Sequence, residues 1–345
     1  MKTEILSLMG AGAEAAMTKA AACIQNGELV GIPTETVYGL AGSALYAEAA
    51  GKIYAAKGRP GDNPLIVHVA EPAEAEKIAH TTPLYYALAE RYMPGPLTII
   101  LPKKPVIPDT VSGGLSTVAI RCPAHPAARE LIRLSGHPIA APSANSSGKP
   151  SPTTAAHVYE DLQGKIPLIL DGGPCSIGVE STVIALHEDG ESCIILRPGA
   201  VTREMLETVC AQVDVAEAVT DPGKAGEKPQ SPGMKYKHYA PKCRVILVDA
   251  PDGDAFVRYV QENGTGKYGV LAVTEETGQF STGTVLELGN RADEAEHARR
   301  LFALLRQADE MDLETLYARL PAEKGIALAY YNRIIRAAGG NIVRL

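Results

Sequence analysis

The chain has 345 residues, 46% hydrophobic and 21% charged, with 33 Lys and Arg against 40 Asp and Glu for a formal net charge of -7. Length and composition fit a soluble globular protein of about two domains, with an aliphatic core because Trp is absent and Phe occurs three times. The acidic balance excludes a surface built to track a nucleic-acid backbone, so any phosphate site has to be a local cluster of cations.

No charged-then-apolar signal segment follows Met1, and no apolar run of about eighteen residues occurs. The expectation is a cytoplasmic protein with no membrane association. The six cysteines, Cys23, Cys122, Cys175, Cys193, Cys210 and Cys243, lie far apart without a C-x-x-C pair. They are read as reduced structural thiols rather than zinc or dithiol ligands.

In chain order, residues 1–210 alternate short apolar runs with helical patterns. Strands are predicted at residues 29–32, 65–69, 97–101, 117–121, 139–141, 168–171, 181–186 and 193–197. Helices are predicted at 13–26, 47–57, 73–80, 83–92 and 127–134. Short strands in this mixed order predict one large α/β domain around a twisted sheet. Residues 211–242, rich in Pro, Gly and Lys, have linker composition. Beyond them RVILVDA, KYGVLAVT and TVLELG alternate with helical patterns at 254–263, 294–309 and 326–338, predicting a smaller parallel-sheet α/β domain.

Gly10-Ala11-Gly12-Ala13-Glu14-Ala15 matches a dinucleotide fingerprint, G-x-G-x-x-A, after EILSL. The strand before it is short and no later strand ends in an acidic residue placed for a ribose, so the stretch is read as a helix start made of small residues. No G-x-x-x-x-G-K-[ST] phosphate loop occurs.

Other stretches carry chemistry. GIPTETVYGLAGSA (31–44) sends a strand-like lead into Pro33, two threonines and Glu35. KGRPGDNPLIVHV (57–69) puts Lys57 and Arg59 around Gly58. In an extended loop such residues point the same way, so both cations can converge on a polyphosphate, with a solvated turn as the alternative. His68 interrupts an apolar run, a position that suits a satisfied core residue as well as a ligand contact. HPIAAPSANSSGKPSPT (137–153) is a buried-looking strand emptying into small polar residues, whose hydroxyls and backbone N–H groups can form an anion nest. DGGPCSIGVESTVIAL (171–186) repeats the theme. Arg121 in TVAIRCP and Arg197 in ILRPGAVT end apolar runs, where a guanidinium needs a carboxylate or phosphate partner, internal or bound. SPGMKYKHYAPK (231–242) gives the linker cations and aromatics, as a segment docking over a nucleotide requires.

In this order PTETVYGL, KGRPGDNPLIVHV, PGPLTIIL, IRCP, PSANSSGKPSPT, GVESTV, RPGAVT and SPGMKYKHYAPK closely resemble the two-domain form of the YrdC-type L-threonylcarbamoyladenylate synthases. The resemblance covers residues 10–242 motif by motif and the C-terminal α/β domain more weakly. It implies a YrdC-like catalytic domain over 1–210, with a twisted mixed sheet and a concave basic cavity, a linker over 211–242 folding across the active site, and a Rossmann-like domain over 243–345. It further implies a nucleotidyltransferase that combines L-threonine, bicarbonate (or CO2) and ATP into threonylcarbamoyl-AMP and pyrophosphate, with Mg2+ carried by the ATP phosphates. The product would pass to the tRNA threonylcarbamoyl transferase machinery that makes t6A, and direct contact with tRNA stays open.

Carried over residue by residue, Thr36, His68, Arg121, Ser143 and Ser181 would hold threonine and its carbamate. Lys57, Arg59, Asn63, Thr117, Ala141, Ser151, Arg197 and Tyr236 would surround ATP, while Thr34 and Asn145 lie inside matching motifs with looser roles. Family members often carry Asp where this chain has Glu35, a change that keeps the charge. Such chemistry asks for aligned anions and neutralised charge, not for a nucleophile. The rivals are an RNA-binding module of the same fold, the carbamoyl-adenylate chemistry of hydrogenase maturation, and a binding or scaffold protein.

Overall fold

Short apolar runs bounded by Gly, Pro and Asn become strands because both of their faces find cover, and the longer amphipathic runs between them become helices. The computed structural model describes residues 1–224 and 239–345. They fall into two compact units, whose described parts are 1–147 with 151–224, and 148–150 with 239–345.

The first unit is built on β1 (Glu4–Ser7), β2 (Val30–Ile32), β3 (Gly39–Ser43), β4 (Ile66–His68), β5 (Leu97–Pro102), β6 (Thr117–Arg121), β7 (Ile139–Ala140), β8 (Leu168–Asp171), β9 (Thr182–Leu186), β10 (Cys193–Arg197) and β11 (Val213–Val215). They form one sheet in the order β1-β8-β2-β3-β7-β4-β6-β5-β9-β10-β11. The sheet is mixed: β4 and β6 run parallel, as do β5 and β9, while β5 and β6 are antiparallel, as are β4 and β7. Helices α1 (Ala13–Gln25), α2 (Ala47–Lys57), α3 (Pro83–Tyr92), α4 (Asp109–Ser112), α5 (Pro126–Ser135), α6 (Ala155–Leu162) and α7 (Arg203–Leu206) connect them. Their starts follow local chemistry: Thr82 and Thr154 accept the backbone N–H groups of Tyr85 and His157, and Pro83 and Pro126 occupy first-turn positions.

All eight strands predicted in this unit are present, as is the short strand read at EILSL, and β3 and β11 were not foreseen. β1 is four residues, β11 is three, and β3 reads GLAGS, too small and glycine-rich to look like a strand. It is one because it lies fully buried, with the Cβ position of Gly42 only 2.9 Å from Leu29 Cδ2, where no larger side chain fits. The helix predicted at 73–80 is instead a 3-10 turn, Pro72–Lys77, held by a capping box between Glu71 and Glu74. Within the stretch of linker composition, β11 pairs in parallel with β10, and Glu217–Val219 and Pro222–Lys224 are 3-10 turns.

The second unit contains β12 (Arg244–Asp249), β13 (Tyr268–Val273), β14 (Thr284–Gly289), β15 (Thr315–Arg319) and β16 (Ile342–Arg344), with α8 (Gly253–Asn263), α9 (Glu294–Glu310) and α10 (Ala327–Ala338). The sheet order is β14-β13-β15-β12-β16 and every pairing is parallel, as predicted. β15 and β16 lay below what apolar pattern reveals, at five and three residues.

All six cysteines are free, and burial pushes the thiols of Cys122 and Cys175 up to about 12, so they pack as neutral side chains. Among the described residues no helix is long and apolar enough to cross a membrane.

Candidate active site

Strand register assembles residues that are far apart in sequence. His68 lies opposite Arg121, Arg121 opposite Thr98, Thr98 opposite Val183, and Val183 opposite Arg197. Directly opposed residues project to the same face, so one rung across β4, β6, β5, β9 and β10 carries an imidazole, two guanidiniums and a hydroxyl. His68, Thr98, Arg121 and Arg197 are all buried, as is Ser181, one residue before β9.

Arg121 is fixed on every side. Its Nε donates to the Gly95 carbonyl at 3.2 Å, its Nη1 donates to Thr36 Oγ1 at 2.9 Å, and its Nη2 lies 2.7 Å from Glu35 Oε1 as an ion pair. The two threonines of the PTET turn extend this network in one direction. Thr34 Oγ1 donates to the Val37 carbonyl at 2.6 Å, so the 2.8 Å contact between the hydroxyls has Thr36 as donor. Arg121 thus donates to Thr36, Thr36 to Thr34, and Thr34 to the backbone. Glu35 is torn between opposing effects: burial pushes its carboxyl up, but Arg121 and the Ala124 N–H outweigh that and hold it below the usual carboxylate range.

His68 is held neutral. Burial first, and the adjacent Arg121 charge second, push its pKa down to about 3, and its Nδ1 lies 3.1 Å from the Ile66 carbonyl, to which it donates. Because the folded value is below the ordinary 6.5, the unfolded chain binds the extra proton between those limits. Stability is therefore fully present above about pH 6.5 and falls as pH drops towards 3, by up to about 1.4 kcal/mol per pH unit. Urea denaturation at about pH 7 and pH 5 should show that slope reduced by one proton in His68→Gln; equal slopes in the two proteins would refute a neutral buried His68.

The far end of the rung is also paired. Thr98 Oγ1 and Ser181 Oγ are 2.7 Å apart, and Arg197 donates from Nη2 to Ser181 Oγ and from Nε to the Ser181 carbonyl, both at 3.1 Å. Gly199 lets the chain that leaves β10 return over this corner, since a Cβ there would stand 2.4 Å from the Thr182 nitrogen. Ser151, fully buried, donates to Glu180 Oε1 at 2.5 Å. Thr98 and Glu180 sit inside quoted motifs but were not singled out by sequence. A lone hydroxyl in the apolar run PLTIIL was the available signal for Thr98.

Backbone bonds bring the motif loops together. The Tyr38 N–H donates to the Pro152 carbonyl and the Ala144 N–H to the Tyr38 carbonyl, while Ile177 and Gly178 donate to the carbonyls of Glu35 and Thr36. Ser143 forms a bridge with Gly39. The PTETVYGL turn is thereby laced to both SANSSGKPSP and DGGPCSIGVES, with Thr36, Ser143, Ser151 and Ser181 on adjoining segments. Ala141 is buried just past β7, its N–H donating to the Ile66 carbonyl, and Thr117 opens β6, half-buried.

The paired-cation reading of Lys57 and Arg59 is corrected. Lys57 is the last residue of α2, and Gly58 caps that helix in a left-handed conformation with φ of 63°, so the two do not share an extended loop. The Lys57 ammonium donates to the carbonyls of Ser143 and Asn145, both at 2.5 Å, and to Asn145 Oδ1 at 3.3 Å. Arg59, by contrast, donates to the carbonyls of Asn63 and Pro64. Asn63 is buried, and its Oδ1 has no hydrogen-bond partner among the described residues. Tyr236 lies outside the described residues.

Comparison with known proteins gives two domain matches. A family model for Sua5, YciO and YrdC proteins, described as telomere recombination, matches residues 22–199, and one described as the threonylcarbamoyl-AMP synthase C-terminal domain matches residues 201–339. The threonylcarbamoyl-AMP synthase of Bacillus subtilis is 45% identical over 331 residues, covering 95% of this chain and 94% of its own. That of Pyrococcus abyssi is 45% identical over 333 residues, covering 94% and 95%. A crystal structure of Pyrococcus abyssi Sua5 complexed with L-threonine superposes with a TM-score of 0.91 at 44% identity, over 99% of this chain and 100% of that one.

Proposed function

Because the chain belongs to the threonylcarbamoyl-AMP synthase family, we propose that it works as a cytoplasmic nucleotidyltransferase. It joins L-threonine, bicarbonate (or CO2) and Mg-ATP into threonylcarbamoyl-AMP and pyrophosphate. Threonine's amine takes up CO2 to give a carbamate, and a carbamate oxygen displaces pyrophosphate from the α-phosphorus. The mixed anhydride then supplies the threonylcarbamoyl group that the tRNA transferase machinery places as t6A.

The observation that carries this reading is the fixed, buried cation of Arg121 beside a neutral His68 on one rung. A guanidinium that cannot swing away is suited to hold threonine's carboxylate, and an uncharged imidazole leaves the amine unprotonated by its neighbour. Thr36, Ser143 and Ser181 supply hydroxyls for the side chain and carbamate, and Thr34 and Asn145 support them. Arg59, Asn63, Thr117, Ala141, Ser151, Arg197 and Tyr236 are assigned to ATP, with Lys57 anchoring the turn that carries Ser143. Mg2+ enters with the nucleotide, since it is normally bound through substrate phosphates and one or two carboxylates. Nothing in the chemistry requires a covalent enzyme intermediate.

Purified protein with ATP and Mg2+ is expected to release pyrophosphate only when L-threonine and bicarbonate are both present, and poorly when serine replaces threonine. Release that ignores threonine, or salt-sensitive tRNA binding with no turnover, would overturn the reading.

A further inference from the structure

The second unit has a cavity of about 450 Å³ that the proposed reaction does not use. Its walls come from the segments that follow the parallel strands: Ala250 and Pro251 after β12, Glu276 after β13, Arg291 after β14, and Leu320 after β15. The connection leaving β12 crosses β15 to reach β13, and the one leaving β15 crosses β12 to reach β16, so the chain turns in opposite directions at the β12–β15 pair. In open parallel sheets the crevice at the carboxyl ends of such a pair is where ligands bind.

The polar groups in this cavity are arranged, not scattered. Glu276 is buried and accepts from Arg291 Nη2 at 3.0 Å, with Arg319 Nη1 at 3.5 Å. One carboxylate occupies one edge of each guanidinium, and each has five N–H donors, so both keep donors for an anion. His297 Nε2 donates to the Asn290 carbonyl at 2.8 Å, which leaves Nδ1 as the ring's other polar atom. Tyr330 lines the cavity at 4% exposure, 6.4 Å from the His297 ring between centroids, and its hydroxyl has no hydrogen-bond partner among the described residues. That hydroxyl is closed off from the cavity, so Tyr330 contributes ring surface to the wall. Leu271, Val273 and Leu288 supply flat apolar wall.

We propose that this cavity binds a nucleoside monophosphate. Arg291 and Arg319 hold the phosphate, the Glu276 carboxylate accepts from the ribose hydroxyls, and the aliphatic walls and the Tyr330 ring enclose the base, whose edge meets His297. The volume suits a ligand of that size, and two cations set against the carboxylates of Glu276 and Glu294 match a phosphate joined to a diol better than a bare anion. The site is independent of the first unit and of the reaction proposed for it.

The test is hydrogen-exchange mass spectrometry on the full chain with AMP, GMP, inorganic phosphate or L-threonine, each at millimolar concentration. A nucleoside monophosphate is expected to protect the segments around residues 250–253, 274–291 and 319–330. Arg319→Gln should weaken that protection about tenfold or more in ligand concentration. The more exposed Arg291→Gln, which leaves the buried Glu276 one partner, should weaken it too, with threonine-dependent turnover unchanged. Protection by phosphate or threonine equal to that by the nucleotides would overturn the assignment. So would protection confined to the first unit, whatever that said about the reaction there, or protection of the same strength in the Arg291→Gln protein.

Discussion

Arg121→Ala is expected to abolish threonine-dependent pyrophosphate release and to destabilise the fold by about 3–5 kcal/mol. Both effects come from one geometry. The guanidinium is the partner of a buried carboxylate, at 2.7 Å from Glu35 Oε1, and the start of the hydrogen-bond chain through Thr36 and Thr34. Truncation leaves Glu35 charged and unpaired in the interior, where burial alone drives its pKa upward. The double variant Arg121→Ala with Glu35→Gln separates the two effects. Removing the orphaned charge should restore part of the stability, measured by chemical denaturation, while activity stays absent because no cation remains for the threonine carboxylate. Arg121→Lys should fold but raise the KM for L-threonine at least about tenfold, since a point charge cannot serve Gly95, Thr36, Glu35 and a ligand in one plane. An active double variant would show that Arg121 is structural only.

The difference between what the chain's pattern reveals and what it conceals follows from the same rung. Apolar runs long enough to show a period, such as 97–101 or 168–171, are strands in the structure. GLAGS is one only because neighbours on both faces exclude larger side chains, which no local pattern records. The site behaves similarly. Arg121 and Arg197 stand out as charges ending apolar strands; Arg121 has the carboxylate partner that burial demands in Glu35, and Arg197 donates to the neutral hydroxyl and carbonyl of Ser181. Their membership of one row with His68 and Thr98 depends on register, a property of pairings between residues 14 to 85 positions apart. The convergence expected of Lys57 and Arg59 fails for a local reason, because Gly58 ends a helix rather than sitting in extended chain.

That failure gives Lys57 a different role to test. Its ammonium is buried among three oxygens of Ser143 and Asn145, and Ser143 Oγ donates to the same Asn145 Oδ1 at 2.5 Å. Its own carbonyl accepts from the Ser147 N–H at 2.8 Å. A cation at the last turn of α2 is also favoured by the helix dipole. The side chain therefore acts as an anchor that fixes the SANSS turn, and with it Ser143 at the threonine end of the site. Lys57→Met keeps the aliphatic stem and removes only the charge. Losing charge-assisted bonds to buried acceptors should cost about 3 kcal/mol of stability and should raise the KM for L-threonine together with that for ATP, because the whole turn loosens. If the ammonium instead works directly on the triphosphate, the variant will denature where the wild type does and only the KM for ATP will rise. The two outcomes differ in both denaturation midpoint and threonine kinetics, so one variant decides between an anchor and a phosphate ligand.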